Sequence, residues 1–590
     1  MIERGLWITL LAAVLTRLIH WINIHAFDPL YAQTQPMSDM RTYWVWAKAI
    51  AAGDWLSENA QNGPFYYGPL YAYFLACLFR VFGESYSVVH GLQALIGLLA
   101  PLVLWTISRR LFGKGPALAT GLLAAFCAPI LFYEQTLLTE GLLIAVHAAI
   151  LVCLVRGQES VGRAWLWALG GGVLSGVACW GRGNFFLVIP AITATWTIAP
   201  VVFTRTLPLE SPSGEPQSLR LPTAQQKPLW AVGTVCAAAY LLGVALSLSV
   251  TLWRNHHVAD RWVLTTANGP ILLYMGNSSD SIGLFQSPSS RHDLEKQYGS
   301  QGAVPWGREL LRDMAAHPGA FVRLLLKKTW MFWNSYDAAD NVSYYACKRY
   351  SALMRWSPVS WLTLAPMALL GIWQTRRLWR RQIFLYVYTV GFALSIIAVF
   401  IVGRYRLEAL FPMLVWAGPA AADLSRQAWE RRWRRLVVPV LALAVGVAIL
   451  WPTRSPAAIY NAAKGQKDIP LVRRNDYDRL AVAHLELGQR RQATELLEEA
   501  VAFYPWFNPL VRRLAIIHIQ ERKFEQAVAV LEKYIQLAGP DGETNLLLAD
   551  ALASGGRTAD AIALLQDLLR NNPQDAQAQT LLSQIQKGGK

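Results

Sequence analysis

Apolar runs of about twenty residues recur along this chain and constrain its fold more than any other feature, because such a run just crosses a ~30 Å hydrocarbon core at ~1.5 Å per residue. Inside lipid every backbone N–H and C=O must be satisfied within the chain, so runs of this kind fold as helices. About eleven can be read at that length: residues 5–25, 88–108, 115–133, 139–156, 165–180, 184–203, 229–250, 357–374, 383–402, 408–424 and 436–452. With 54% of its 590 residues hydrophobic, the chain is expected to be an all-α polytopic membrane protein. The first run lacks a small-residue cleavage site and more runs follow it, so it reads as an anchor and not a removed signal peptide.

The formal charge of +16 raises nucleic acid as a partner, but the placement of the charge argues against it. Arg109, Arg110 and Lys114 follow the second run, Arg156 and Arg163 the fourth, and Arg205, Arg220 and Lys227 the sixth. Arg376, Arg377, Arg380 and Arg381 follow the eighth, and Arg426, Arg431, Arg432, Arg434 and Arg435 the tenth. Basic residues in every second loop mark the cytoplasmic side and put the N-terminus inside. The basicity therefore reports topology. Five of the six cysteines lie in or beside apolar runs without CxxC or metal spacing, and Cys347 alone falls in a long loop, so no structural disulfide is implied.

On that topology the outer connections are two long loops, 26–87 and 251–356, and three short ones near 134–138, 181–183 and 403–407. The short ones carry Glu134, Arg182, and Arg404 with Arg406. The cytoplasmic loop 204–228 is rich in Pro, Ser and Gln and reads as an unstructured connector. Asn-Gly and Gly-Asn signals around a short apolar run, TTANGPILLYMGNSSDSIGLF, suggest a strand-like or looped insert. Residues 306–334 read as interfacial helices ending in an aromatic belt. Past Trp451 the character changes. Leu480, Ala481, Ala493, Leu497 and Pro505 recur 34 positions on as Leu514, Ala515, Ala527, Leu531 and Gly539, then as Leu548, Ala549, Ala561, Leu565 and Pro573. That period is the tetratricopeptide signature. The expected domains are a membrane domain 1–452 with outer loops 26–87 and 251–356, a linker 453–475, and an α-solenoid 476–590 outside the membrane.

No HExxH, Walker loop, zinc spacing or credible nucleophile elbow is present. What remains is acids and arginines on the outer side. Asp39 stands just outside the first span, in SDMRTYWVWAKAIAAGDW; it is either a base that accepts a proton from an incoming nucleophile or, with Ser38, a helix N-cap. Glu140 opens the fourth span, where acids face a cavity or a partner. It orients a ligand hydroxyl, holds a divalent metal or pairs with Arg182. Arg182, Arg404 and Arg406 suit bidentate phosphate binding, with snorkelling to headgroups as the plainer alternative. Tyr66, Tyr67 and Tyr71 line a groove or anchor the interface, and Lys327 and Lys328 suit anionic lipid. No cofactor motif is present, and a divalent metal stays open.

The ordered set TYWVWAKAIAAGDW, YYGPLYAYFLACLFRVFG, YEQTLLTEGLL, WGRGNFFLVIPA, NGPILLYMGN, HPGAFVRLLLKKTWMFWN and GRYRLEALFPML resembles the GT-C class of membrane glycosyltransferases. The branch is the one grouping protein O-mannosyltransferases with aminoarabinose-type lipid A transferases, and the likeness covers most of residues 1–435. The resemblance implies the GT-C fold, a sugar donor on polyprenyl phosphate, reaction at the outer face with inversion, Asp39 as the first-loop acid and Glu140 as the second. Many members have two adjacent acids in the first loop, where this chain has Asp39-Met40. The tail resembles that of eukaryotic mannosyltransferases bearing lumenal tetratricopeptide repeats.

The expectation is a glycosyltransferase of the inner membrane, with a cytoplasmic N-terminus and periplasmic repeats. Asp39 and Glu140 are catalytic; Arg182, Arg404, Arg406, Tyr66, Tyr67, Tyr71 and Lys327 bind substrate. The acceptor is a protein hydroxyl, or a glycan or lipid, and the repeats recruit the acceptor or a protein partner. The rival is a membrane scaffold or transporter carrying the same repeats.

Overall fold

The computed structural model describes residues 3–31, 38–160, 162–204, 209–210, 216–217, 229–299, 303–451 and 472–588. The chain forms two compact units, one of Met1–Phe27 and Pro36–Pro456, the other of Asp28–Gln35 and Ala457–Lys590. The connector expected at 453–475 falls outside the described residues up to 471. Loop 204–228 does so too, apart from Thr204 and a pair of two-residue strands, Leu209–Glu210 and Pro216–Gln217.

All eleven runs are built largely of helix. By length and composition, eight helices among the described residues can cross a membrane, or nine if the bent pair Lys114–Ala125 and Ala128–Glu134 is one span. Two features explain the lower count. The stretch Trp361–Ala398 is taken as one helix of 38 residues, which at ~1.5 Å per residue is far longer than a bilayer core. It is interrupted at Arg376–Gln382, where Leu378 leaves helical geometry among four arginines. The run 184–203 is a 3₁₀ turn, Gly183–Leu187, followed by the helix Ile189–Thr204, and among the described residues it counts as a shorter apolar helix, Gly183–Ile198. The chain is a multi-pass membrane protein.

Helix packing here relies on close backbone approach, as expected where lipid removes the hydrophobic drive between helices. A Cβ at Gly172, in the helix Ala164–Gly181, would collide with the Tyr240 carbonyl of the helix Leu229–Ala259. Within the segment expected to be strand-like or looped, Gly269–Asn277 is instead a helix, while its flanks are looped and Leu284 bridges to Ile401. Pro270 at the first turn of that helix accounts for this, since its fixed φ suits a helix start and its missing N–H costs nothing there. Helices Trp306–Ala316 and Pro318–Trp333 follow as expected.

Among the described residues of the second unit, seven helices run from Arg474–Glu486 to Ala576–Gly588. Leu480, Ala481, Ala493 and Leu497 are buried, as are their counterparts Leu514, Ala515, Ala527 and Leu531, then Leu548, Ala549, Ala561 and Leu565. The small residues sit where paired helices cross, which is how a repeat that cannot bury its own face stacks on the next.

Candidate active site

The first-loop helix Asp39–Ala51 is capped by Ser38, whose hydroxyl accepts from the Arg41 amide at 3.3 Å. The cap being filled by Ser38, the Asp39 carboxylate is available for other contacts. Its Oδ2 accepts from Asn341 Nδ2 at 2.7 Å and from Arg404 Nη2 at 3.2 Å, while the Asp39 amide donates to Asn341 Oδ1 at 2.8 Å. Oδ1 has no protein partner among the described residues, and the side chain stays 24% exposed.

Glu140 opens the helix Glu140–Glu159. It pairs with Arg182, and Arg404 Nη1 lies 3.8 Å from the same oxygen. Arg182 sits where the helix Ala164–Gly181 breaks, donates to Glu408 Oε1 at 2.6 Å and stacks 4.2 Å over the Tyr405 ring. Arg404 also pairs with Asp340. Two guanidinium groups and four carboxylates thus form one network, from segments hundreds of residues apart.

Asp39, Glu140, Arg182, Arg404, Tyr66 and Tyr67 line a single cavity of about 330 Å³. Its other wall holds Asn184, Thr265, Thr266, Asn268 and Ser395, and an apolar mouth is made by Phe186, Leu187, Leu272, Leu273, Phe285 and Phe400. Phe186, Leu187, Leu273 and Phe285 are among the exposed large apolar side chains. The Tyr-rich turn reaches the cavity because Gly68 packs on a helix end; a Cβ there would lie 2.5 Å from the Trp180 carbonyl oxygen. Burial, with the negative charge of Asp39 nearby, pushes the Tyr67 phenol up to about 12, so near neutral pH it is a hydrogen-bond donor and not a base.

Three expected residues lie elsewhere. Tyr71 is buried and donates to Gln93 at 3.1 Å. Arg406 points away from the cavity, donating to the carbonyls of Asn334 at 2.5 Å and Tyr336 at 2.6 Å, and so holds the loop that carries Asp340 and Asn341. Lys327 does not line the cavity. Its neighbour Lys328 is buried, with Nζ donating to Asn277 Oδ1 at 2.7 Å and to the carbonyls of Gly276 and Val399, both at 3.1 Å. Those bonds tie the helix Gly269–Asn277 to the break after Ala398 that leads to Arg404. Glu134 lies outside the cavity too, buried against Arg17 at 3.0 Å.

Asp340, Asn341 and Glu408 went unread in the sequence, although an acid–amide pair in an outer loop and an acid opening an apolar run were both visible signals. Among the described residues no group of three or more His, Cys, Asp and Glu side chains is gathered to hold a metal. The acids at the cavity are instead engaged by arginine.

Comparison with known proteins finds a family model described as dolichyl-phosphate-mannose-protein mannosyltransferase matching residues 64–211, and a tetratricopeptide repeat model matching 518–585. No curated protein matches the chain in sequence. Among solved structures, ArnT from Cupriavidus metallidurans bound to undecaprenyl phosphate is 16% identical over 96% of this chain and 80% of its own, with a TM-score of 0.43. The oligosaccharyltransferase AglB from Archaeoglobus fulgidus, in complex with an inhibitory peptide and a dolichol-phosphate, is 13% identical over 94% of this chain and 59% of its own, with a TM-score of 0.34.

Proposed function

We propose that this protein is a membrane glycosyltransferase that moves a sugar from a polyprenyl-phosphate donor to a hydroxyl or amine of an acceptor. The observation that carries the reading is the single cavity in which Asp39, with one free carboxylate oxygen, faces Glu140, Arg182 and Arg404 beside an apolar mouth. The family model of dolichyl-phosphate-mannose-protein mannosyltransferases spans Tyr66, Tyr67, Glu140 and Arg182, which supports the donor class.

In this reading the lipid chain enters through the apolar mouth and the donor phosphate takes guanidinium donors from Arg404 and Arg182. Phosphate competes with Asp39 for Arg404, so the base is freed as the leaving group is gripped. The acceptor oxygen or nitrogen attacks the anomeric carbon and gives its proton to Asp39 Oδ1. The bond from that carbon to the phosphate oxygen breaks, its electron pair leaves with polyprenyl phosphate, and the arginines stabilise the charge that develops. Attack opposite the phosphate inverts the anomeric centre. Glu140 orients the sugar.

Basic residues in alternate loops support a cytoplasmic N-terminus, with the reaction and the repeats on the periplasmic side of an inner membrane. Domain limits follow at 1–452 and 476–590, with 453–475 between them. The repeats recruit a protein acceptor or a partner; transfer onto a glycan or lipid is the second acceptor reading. The test uses full-length protein in nanodiscs with a panel of polyprenyl-phosphate sugars, following free polyprenyl phosphate by mass spectrometry. Release by wild type and not by Asp39→Asn is expected, and equal release by both would remove Asp39 from the reaction. Deleting 457–590 separates the acceptors: unimpaired transfer would favour glycan or lipid.

A further inference from the structure

Resting on the transfer reading, Asp39 has to keep its aim while the donor phosphate draws Arg404 away from it. Asn341, which also holds Asp39, does not line the cavity and is buried behind it. Asp39 opens its helix, so its amide is one of the four N–H groups that helix geometry leaves without an internal acceptor. Ser38 takes the Arg41 amide, and Asn341 Oδ1 takes that of Asp39 at 2.8 Å. The same side chain returns its Nδ2 to Asp39 Oδ2 at 2.7 Å. A primary amide carries an acceptor and donors in one fork. Only this orientation fits, because turned over it would set NH₂ against N–H and oxygen against carboxylate. One residue thus fixes both the backbone and the carboxylate of Asp39, and leaves Oδ1 clear.

The loop bearing Asn341 is tied in turn to the segment that carries Arg404. The Gly403 amide donates to the Ala338 carbonyl at 2.9 Å, and Arg406 donates to the carbonyls of Asn334 and Tyr336. The Asp337 amide donates to Tyr345 Oη at 2.9 Å. None of these bonds uses the Arg404 side chain, so that side chain can turn to a ligand while the frame behind Asp39 stays.

We infer that Asn341 is a positioning residue, holding Asp39 Oδ2 while phosphate claims Arg404, so that Oδ1 meets the acceptor. The acceptor's O–H or N–H bond breaks and its proton passes to Asp39; Asn341 exchanges none. The test uses full-length protein in nanodiscs with polyprenyl-phosphate hexose and amino hexose, and a cell extract as the acceptor source. Free polyprenyl phosphate is followed, and binding of bare polyprenyl phosphate is measured by native mass spectrometry. Asn341→Leu, of similar shape, should lower kcat about 10- to 100-fold. KM for the lipid sugar and Kd for bare polyprenyl phosphate should stay within about twofold of wild type. An unchanged kcat, or a fall matched in phosphate binding, overturns the inference and leaves the transferase reading intact.

Asn341→Asp keeps an acceptor for the Asp39 amide but sets a second carboxylate against Oδ2. Two such carboxylates share a proton as the pH falls. Arg404 beside Asp39 leaves that proton on the new carboxyl, which then donates as the amide did. The kcat of Asn341→Asp relative to wild type should therefore rise severalfold between about pH 8 and about pH 5. Arg404, Asp340, Glu140, Tyr43, Tyr67 and Tyr405 surround Asp39 in both proteins, so the ratio cancels their own titration. A flat ratio overturns the inference. No release by wild type from either lipid sugar overturns the donor reading and this inference with it.

Discussion

Two carboxylate–guanidinium pairs in the membrane unit differ in almost everything but chemistry. Glu134 and Arg17 are 0% and 3% exposed; Arg17 also donates through its Nη atoms to the carbonyls of Ala125 and Gly97, while its Nε and Glu134 Oε1 are buried facing protein. A Cβ at Gly97 would lie 2.8 Å from the Glu134 carboxyl carbon, so the pair is closed in on that side too. Asp39 and Arg404 meet at 3.2 Å on a cavity wall, with one carboxylate oxygen unused and Arg404 divided among three acids. The first pair can only be broken at the cost of a buried charge; the second can be exchanged for a ligand. An ion pair inside a membrane protein is therefore read by what its unused atoms face.

Removing one partner of the closed pair should have the largest effect. Glu134→Ala leaves the Arg17 charge buried and should cost about 3–5 kcal/mol, read as loss of monodisperse protein or a large fall in thermal midpoint in detergent. A small change would mean that Arg17 reaches water, and the contrast with Asp39 would collapse. Asp39→Asn should do the opposite, lowering transfer by about 100-fold or more while the thermal midpoint stays put. A fall in stability with intact specific activity would make this pair structural as well.

Lys328 sharpens the comparison as a buried cation that the structure answers with neutral oxygens. Burial lowers it to about 8 from an ordinary 10.5. Between those values the unfolded chain holds a proton that the folded chain lacks, so raising the pH from 8 to 10.5 stabilises the fold through this group. The thermal midpoint of wild type minus that of Lys328→Met should rise across that window; a flat difference would place Lys328 in water. The smallest effect belongs to Tyr67→Phe. With its phenol raised to about 12, Tyr67 titrates above the working range, so the pH profile of transfer should keep its shape, and loss of an alkaline limb would contradict that.

Much of this fold is legible because lipid leaves a chain few options. The apolar runs had to be helices, and the 34-residue recurrence could be counted directly, down to Ala481, Ala515 and Ala549 at the crossings. Helix breaks were harder to see. Gly183–Leu187 and Arg376–Gln382 depart from regular helix by local geometry that hydropathy does not register. In the cavity, Asp39, Glu140, Arg182 and Arg404 could be singled out because charge is costly at a membrane boundary. Arg406 and Lys328 carry the same signal and face protein instead. In a 3₁₀ turn or a helix, residues one or two apart point in different directions, so Arg404 reaches the cavity while Arg406 caps the end of Pro318–Trp333. Residue type marked the neighbourhood, and only backbone geometry decided the direction.

The contacts of Asp39 span 302 positions to Asn341 and 365 to Arg404. During synthesis Asp39 therefore emerges long before anything that can hold it, and the cavity has no complete wall until the helix Leu407–Trp429 is being made. A nascent chain halted at any earlier helix carries Asp39 without both Asn341 and Arg404 to hold it. The cavity is completed late and all at once, and any chemistry it performs waits for the whole membrane unit.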